Sequence, residues 1–171
     1  QTCALPIWKK VAVITDDTVR ELYGERLAKQ MEEAGVQWTL IALPPGEQSK
    51  AFGTLPVLYS RLLEFQLTRD DVVVAFGGGV VGDIAGIVAA TFLRGVHLVQ
   101  VPTTLMSMVD ASIGGKYGAN LPEGKNIAGV FYTPKEVFID PRFVRTLPDA
   151  ILEDGMAEVI KYGCVFDPDL F

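Results

Sequence analysis

Residues 72–83 read VVVAFGGGVVGD. The first five are all apolar, as a parallel strand covered on both faces requires, because neither side of such a strand meets water. Three glycines follow at once, and Gly77-Gly78-Gly79-Val80-Val81-Gly82 has the spacing of a dinucleotide fingerprint. Residues 84–93 are then apolar nearly all round, which predicts a buried helix packed on a sheet. In that order the turn's N–H groups and the helix N-terminus can hold a pyrophosphate. The ordinary fingerprint places an acid about 20 residues on, for ribose hydroxyls. Here that stretch is Gln100-Val101-Pro102-Thr103, and Asp83 instead follows the glycines directly. A carboxylate so close to a phosphate would repel it, so Asp83 is expected to face a ribose or substrate hydroxyl. The competing reading is a glycine turn that only packs strand against helix.

Working outward, residues 11–15 form a short buried strand. Val19, Leu22, Tyr23, Leu27, Met31 and Ala34 then repeat at helical spacing. Thr18 and Glu21 offer a capping box at the start of that helix, and Gly35 a left-handed end. A strand over 36–43 completes a βαβ unit, broken by Pro44-Pro45-Gly46. A helix over about 54–66 tolerates Pro56 in its first turn. Beyond the glycines, a strand spans 97–101, and residues 103–132 loosen into short helical pieces and glycine-rich loops. A last strand covers 137–139. Pro148 opens a helix to about residue 163, with Asp167-Pro168 as its exit turn. The fold class is therefore α/β: a Rossmann-like, mostly parallel sheet with flanking helices over 9–147, followed at 148–171 by the start of an α-helical domain that is truncated. Residues 1–8 stand outside this pattern.

The 171 residues carry 15 basic and 21 acidic side chains, a net charge of -6, the wrong sign for holding nucleic acid or an anionic membrane by bulk electrostatics. The longest apolar run is half of the ~20 residues a bilayer span needs. Cys3 and Cys164 are too few for a disulfide framework, so a reducing cytoplasm fits best. Charge and glycine are unevenly spread. Residues 72–148 hold 6 basic and 5 acidic groups, whereas 149–171 hold 1 and 6; eleven of the seventeen glycines lie between Gly77 and Gly129. Close backbone approach in the less acidic block points to a phosphorylated small molecule.

Thr103 and Thr104 end a strand at the carboxyl edge of the sheet, where open α/β folds bind ligands, though either could be a mere N-cap. Asp110, Gly114-Gly115-Lys116 and Gly124-Lys125-Asn126 bring two lysines beside glycine, suited to phosphate or carboxylate, or alternatively to solvent. On the last helix Asp154, Glu158 and Lys161 form one polar stripe opposite Leu152, Met156, Val159, Ile160 and Gly163. A surface salt bridge accounts for that stripe as readily as a site does. A catalytic zinc needs three protein ligands, and the single histidine, His97, starts a buried strand and reads as structural.

Six ordered segments, PPGEQSK (44–50), GGGVVGD (77–83), RGVHLVQVPTT (94–104), VDASIGGK (109–116), PEGKNIAG (122–129) and GMAEVIKYG (155–163), make residues 9–171 resemble the dehydroquinate synthases, sugar phosphate cyclases of the shikimate pathway. The resemblance implies an NAD-binding α/β domain, a helical domain, and a divalent metal, zinc or cobalt, between them. It also implies a homodimer and conversion of 3-deoxy-D-arabino-heptulosonate 7-phosphate to 3-dehydroquinate and phosphate. In that chemistry NAD transiently oxidises a secondary alcohol, which acidifies the neighbouring C–H so that phosphate can leave, and the hydride then returns. Carried over by motif, Pro45, Gly46, Glu47, Gln48, Ser49, Lys50, Gly79, Val80, Val81, Gly82, Asp83, Thr103, Thr104, Lys116, Lys125, Phe143, Val144, Arg145 and Thr146 correspond to NAD contacts, with Asp16 for a ribose. Arg94, Asp110, Lys116, Asn126 and Lys161 correspond to substrate and catalytic residues, and Glu158 to the metal's carboxylate ligand. The remaining metal ligands fall outside this chain, which alone is expected to show no turnover. Tyr117 stands where the family has a small polar residue, and residues 1–8 are expected to be a cloning or assembly remnant. The rival readings are another sugar phosphate cyclase, a glycerol dehydrogenase-like NAD oxidoreductase, or a nucleotide-binding module alone.

Overall fold

The computed structural model describes residues 8–170, so Cys3 and most of the off-pattern N-terminal segment lie outside the described residues. The elements run β1 (Lys10–Asp16), α1 (Asp17–Glu33), β2 (Gln37–Leu43), α2 (Leu55–Glu64), β3 (Val72–Gly77), α3 (Gly79–Thr91) and β4 (His97–Pro102). They continue with β5 (Lys116–Leu121), β6 (Gly124–Phe131), β7 (Glu136–Val137) and α4 (Asp149–Val165). Five strands form one parallel sheet in the order β2-β1-β3-β4-β7, and β5 and β6 form a separate antiparallel hairpin.

Alternation along each strand divides the core into two layers. Val11, Val13, Val72 and Val99 face α1, where Tyr23, Leu27 and Met31 cover them. Ala12, Ile14, Val73 and Leu98 face the other way, onto Leu58 and Leu62 of α2 and Ile84 and Val88 of α3. Burial on both faces explains the unbroken apolar runs of the central strands. Trp8, at the edge of the off-pattern segment, packs on the first layer with its ring 6.2 Å from that of His97, which accords with the structural reading of that histidine.

Several local expectations need correction. The cap of α1 is Asp16 and not Thr18: the last residue of β1 already has extended φ/ψ, and its carboxylate accepts the Val19 N–H at 2.9 Å. Gly35 does end that helix with φ 64°. Helix α3 starts at Gly79, five residues earlier than hydrophobicity indicated, so two glycines of the fingerprint lie inside its first turns. Residues 103–132 are not merely loops: after a π-helical turn at Ser107–Ala111 they build the β5–β6 hairpin, whose Tyr117 and Ala119 join the core. The last strand is only Glu136–Val137. On α4 the buried residues are Gly155 and Gly163, while Met156 and Ile160, expected on the packed face, are exposed. The helix approaches Leu105 and Met106 through Gly155, where a Cβ would come within 2.6 Å of Leu105, so small residues set its buried face.

Tyr117 explains another glycine. A Cβ at Gly86 would lie 2.3 Å from its ring, so the helix can seat the tyrosine only without a side chain there. Gly86→Ala would add about 1 kcal/mol of helix propensity, but overpacking of this kind costs about 1–3 kcal/mol or more. We predict a net loss near 2 kcal/mol in urea denaturation, largely recovered by adding Tyr117→Val. A Gly86→Ala protein as stable as the parent would show that this contact is slack.

Candidate functional site

The connectivity reverses between β1 and β3. From β1 the chain crosses through α1 to β2 on one side, and from β3 through α3 to β4 on the other. Loops leaving two such neighbouring strands diverge, and the crevice outside their carboxyl ends is where open α/β sheets bind ligands. A cleft of about 420 Å³ lies there. Thr15, fully buried, holds the two strand ends together by donating to the Phe76 carbonyl at 2.7 Å. Sequence reading assigned that hydroxyl no role.

The floor of the cleft is the start of α3. Gly78 is its N-cap, and no side chain caps it among the described residues. The first intrahelical bond is from the Gly82 N–H to the Gly78 carbonyl, which leaves the N–H groups of Gly79, Val80 and Val81 for a ligand. Together with the helix dipole these donors favour an anion. The glycines divide by neighbour. A Cβ at Gly77 would strike Val81 at 2.7 Å, at Gly78 it would press on Thr104 at 3.0 Å, and at Gly82 on Gln100 at 3.1 Å; at Gly79 nothing stands closer than Ala111 at 3.9 Å. At three of the four an added side chain would press on a neighbour, whereas Gly79 leaves open space beside the cleft that it lines with Gly78, Val80 and Val81.

Asp16, Pro45, Gly46, Ser49, Thr103 and Thr104 form further walls, and Thr146 with Pro148 and Ile151 closes one side. Gly46 has φ 104° at the bend that presents this loop. Asp16 spends one carboxylate oxygen on the α1 cap. Thr104 is bonded to Ser107 at 2.9 Å, so its hydroxyl serves a local turn, whereas Thr103 is bound by its backbone to the Gly77 carbonyl. Tyr23 and Thr146 join hydroxyls at 2.6 Å.

Other expected cofactor residues are turned elsewhere. Asp83 does not face the cleft: its carboxylate pairs with Lys50, both side chains nearly buried, and accepts the Gly118 N–H. Burial pushes its pKa up, with Lys50 only partly offsetting the effect. Glu47 accepts from Asn120 at 2.8 Å, and Gln48 bonds back to the Pro45 carbonyl. Phe143 packs edge-on against Tyr23 and Phe76, Val144 is half-buried and Arg145 exposed. Lys116 and Lys125 stand on strands of the hairpin and not on loops.

Substrate-side candidates form two groups and an outlier. Lys116 and Asn126 share a groove on the hairpin. Asp110 accepts from the Tyr162 hydroxyl at 3.1 Å, which draws it to α4, where Lys161 pairs with Glu158. Those hydrogen bonds push the Lys161 and Tyr162 pKa values up. Arg94 lies just before β4, at the edge of the sheet opposite the cleft. No three His, Cys, Asp or Glu side chains among the described residues form a metal-binding group. Glu158 supplies one paired carboxylate, so these residues alone do not fit a metal ion.

Residues 40–154 match the family described as 3-dehydroquinate synthase N-terminal. The chain belongs to that family. Against the 3-dehydroquinate synthase of Clostridium beijerinckii it is 49% identical over 163 residues, covering 95% of this chain and 47% of that protein. The chain thus spans about half the length of this curated relative. Among solved structures, ValA, a 2-epi-5-epi-valiolone synthase from Streptomyces hygroscopicus subsp. jinggangensis 5008 with NAD+ and Zn2+ bound, superposes with a TM-score of 0.90 at 35% identity. That match covers 95% of this chain and 46% of ValA. A 2-deoxy-scyllo-inosose synthase complexed with carbaglucose-6-phosphate, NAD+ and Co2+ matches with a TM-score of 0.84 at 30% identity, over 90% of this chain and 42% of that one. As expected for a 3-dehydroquinate synthase N-terminal chain, the fold is a mostly parallel α/β sheet. No helix among the described residues is long and apolar enough to cross a membrane.

Proposed function

We propose that this chain is the NAD-binding part of a 3-dehydroquinate synthase, which converts 3-deoxy-D-arabino-heptulosonate 7-phosphate to 3-dehydroquinate and phosphate. The observation that carries the reading is the uncapped start of α3 at the switch-point cleft, open at Gly79. Residues 9–147 would be the nucleotide-binding unit, and 148–171 the first helix of a helical domain in a cytoplasmic homodimer. The cleft fits NAD: the Gly79, Val80 and Val81 N–H groups would take the pyrophosphate, the free oxygen of Asp16 a ribose hydroxyl, and the Pro45–Ser49 wall the remaining nucleotide. NAD, when bound, supplies reversible hydride acceptance.

The chain's own residues then bind and orient. Lys116 and Asn126 of the hairpin groove, and Lys161 of α4, would supply ammonium and amide donors to a phosphorylated, carboxylated substrate. Asp110, joined to the Tyr162 hydroxyl, fixes the π-helical turn against α4. Glu158 would give a divalent ion one ligand, the others coming from outside this chain. Accordingly this chain alone should show no turnover with added zinc or cobalt. The longer protein should release phosphate with no net NADH; NADH accumulating with a polyol would instead identify a dehydrogenase.

In that longer protein Glu158→Gln should lose metal and activity together, while Lys161→Ala should keep metal and lower turnover at least 100-fold. Metal analysis of the two purified variants decides, since full occupancy in Glu158→Gln would leave only the salt bridge.

A further inference from the structure

We propose that Asn120 is a positioning residue that ties the nucleotide wall of the cleft to the backbone at Asn126; the role given to Asn126 rests on the function proposed above. The β5–β6 ladder is irregular at this point: Ala119 pairs with Ala128 and Leu121 with Gly124, so Asn120 alone faces residues 125–127. Within that excess Asn126 takes a left-handed conformation, φ 56°. Its N–H donates to the Asn120 Oδ1 at 2.9 Å, and the Asn120 Nδ2 donates to the Glu47 Oε1 at 2.8 Å. One amide thus spends its acceptor on a strained backbone and its donor on the segment that carries Gly46 and Ser49 of the cleft wall.

The neighbours reinforce this link. Ala51, next after Lys50, bridges to Asn120 by backbone pairing. A Cβ at Gly118 would come within 3.1 Å of the Asn126 Oδ1, so the bare glycine seats that side chain. The Gly118 N–H in turn meets Asp83, the partner of Lys50. Two side-chain connections therefore run from the Glu47–Lys50 turn to the hairpin, and the one through Asn120 ends in a hydrogen bond from the Asn126 backbone N–H. Only a side chain with both a donor and an acceptor can make it.

Amide hydrogen exchange on the 15N-labelled chain tests the assignment. Asn120→Ala removes the acceptor, and the nearly isosteric Asn120→Asp sets a carboxylate against Glu47; each should speed exchange at Asn126 about tenfold. The double variant Glu47→Gln/Asn120→Asp restores a donor facing an acceptor and should return the rate to within about twofold of the parent. Unchanged exchange in Asn120→Ala, or no rescue in the double variant, would overturn the proposal. On adding NAD, the Asn126 amide should shift with the same midpoint as that of Gly79, and lose that shift in Asn120→Ala. A Gly79 shift without one at Asn126 refutes the coupling. If NAD moves neither, the proposed function fails, and the exchange rescue still decides what Asn120 holds.

Discussion

Gly79→Val is expected to abolish NAD binding and leave the protein folded. The position is the first residue of α3, and an added Cβ there meets nothing closer than Ala111 at 3.9 Å, so the fold has room for a side chain. That room is the space a pyrophosphate needs to reach the N–H groups of Gly79, Val80 and Val81. Filling it should weaken binding by at least about 1,000-fold, equivalent to ~4 kcal/mol. Gly82→Val is the contrasting control: its Cβ would press on Gln100 at 3.1 Å, so it should cost stability as well. Calorimetric titration with NAD, beside a thermal melt of each variant, separates the two. NAD affinity within twofold of the parent in Gly79→Val would mean that the glycine turn only packs.

Lys50→Met should have the largest effect on stability. The Lys50 and Asp83 side chains are 11% and 13% exposed, and removing the ammonium leaves a nearly buried carboxylate with the Gly118 N–H as its remaining partner. Breaking a buried pair this way costs on the order of 3 kcal/mol at neutral pH. The pH dependence follows from burial, which raises the Asp83 pKa in the folded state. The folded form therefore holds this proton more tightly than the unfolded chain, whose aspartates titrate near about 3.9. Stability from this group is greatest below that value and declines as pH rises through the folded one. Losing Lys50 pushes the folded value higher still, so the deficit should be full at about pH 7 and shrink steadily toward about pH 4. Urea denaturation across that range checks it, with Lys50→Met/Asp83→Asn expected to recover most of the loss. A deficit that grows on acidification would contradict the assignment.

Much of the sheet was legible because its strands are buried on both faces, and Val72 to Phe76 can be little else. The hairpin was not: β5 and β6 carry six glycines or exposed polar residues, and their large buried anchor, Tyr117, depends on a gap at Gly86 far away in sequence. The face of α4 was misread for a related reason, since hydrophobicity selects Met156 and Ile160 while close packing selects Gly155. At the site, residue type revealed that a glycine-rich turn exists but not which glycine has open space opposite it. That distinction depends on what stands opposite each Cα: Val81, Thr104 and Gln100 for three of them, and the open cleft for Gly79. Asp83 likewise looked free for a hydroxyl because its partner, Lys50, lies 33 positions upstream.

The most direct test is an NAD titration of the 15N-labelled chain, following the backbone amides of Gly79, Val80 and Val81. Saturable shifts at these three residues, together with Asp16 and Gly46 and lost in Gly79→Val, are the predicted result. Shifts confined to the hairpin, or none at these amides at NAD concentrations that saturate the longer protein, would contradict the cleft's assignment as the nucleotide site.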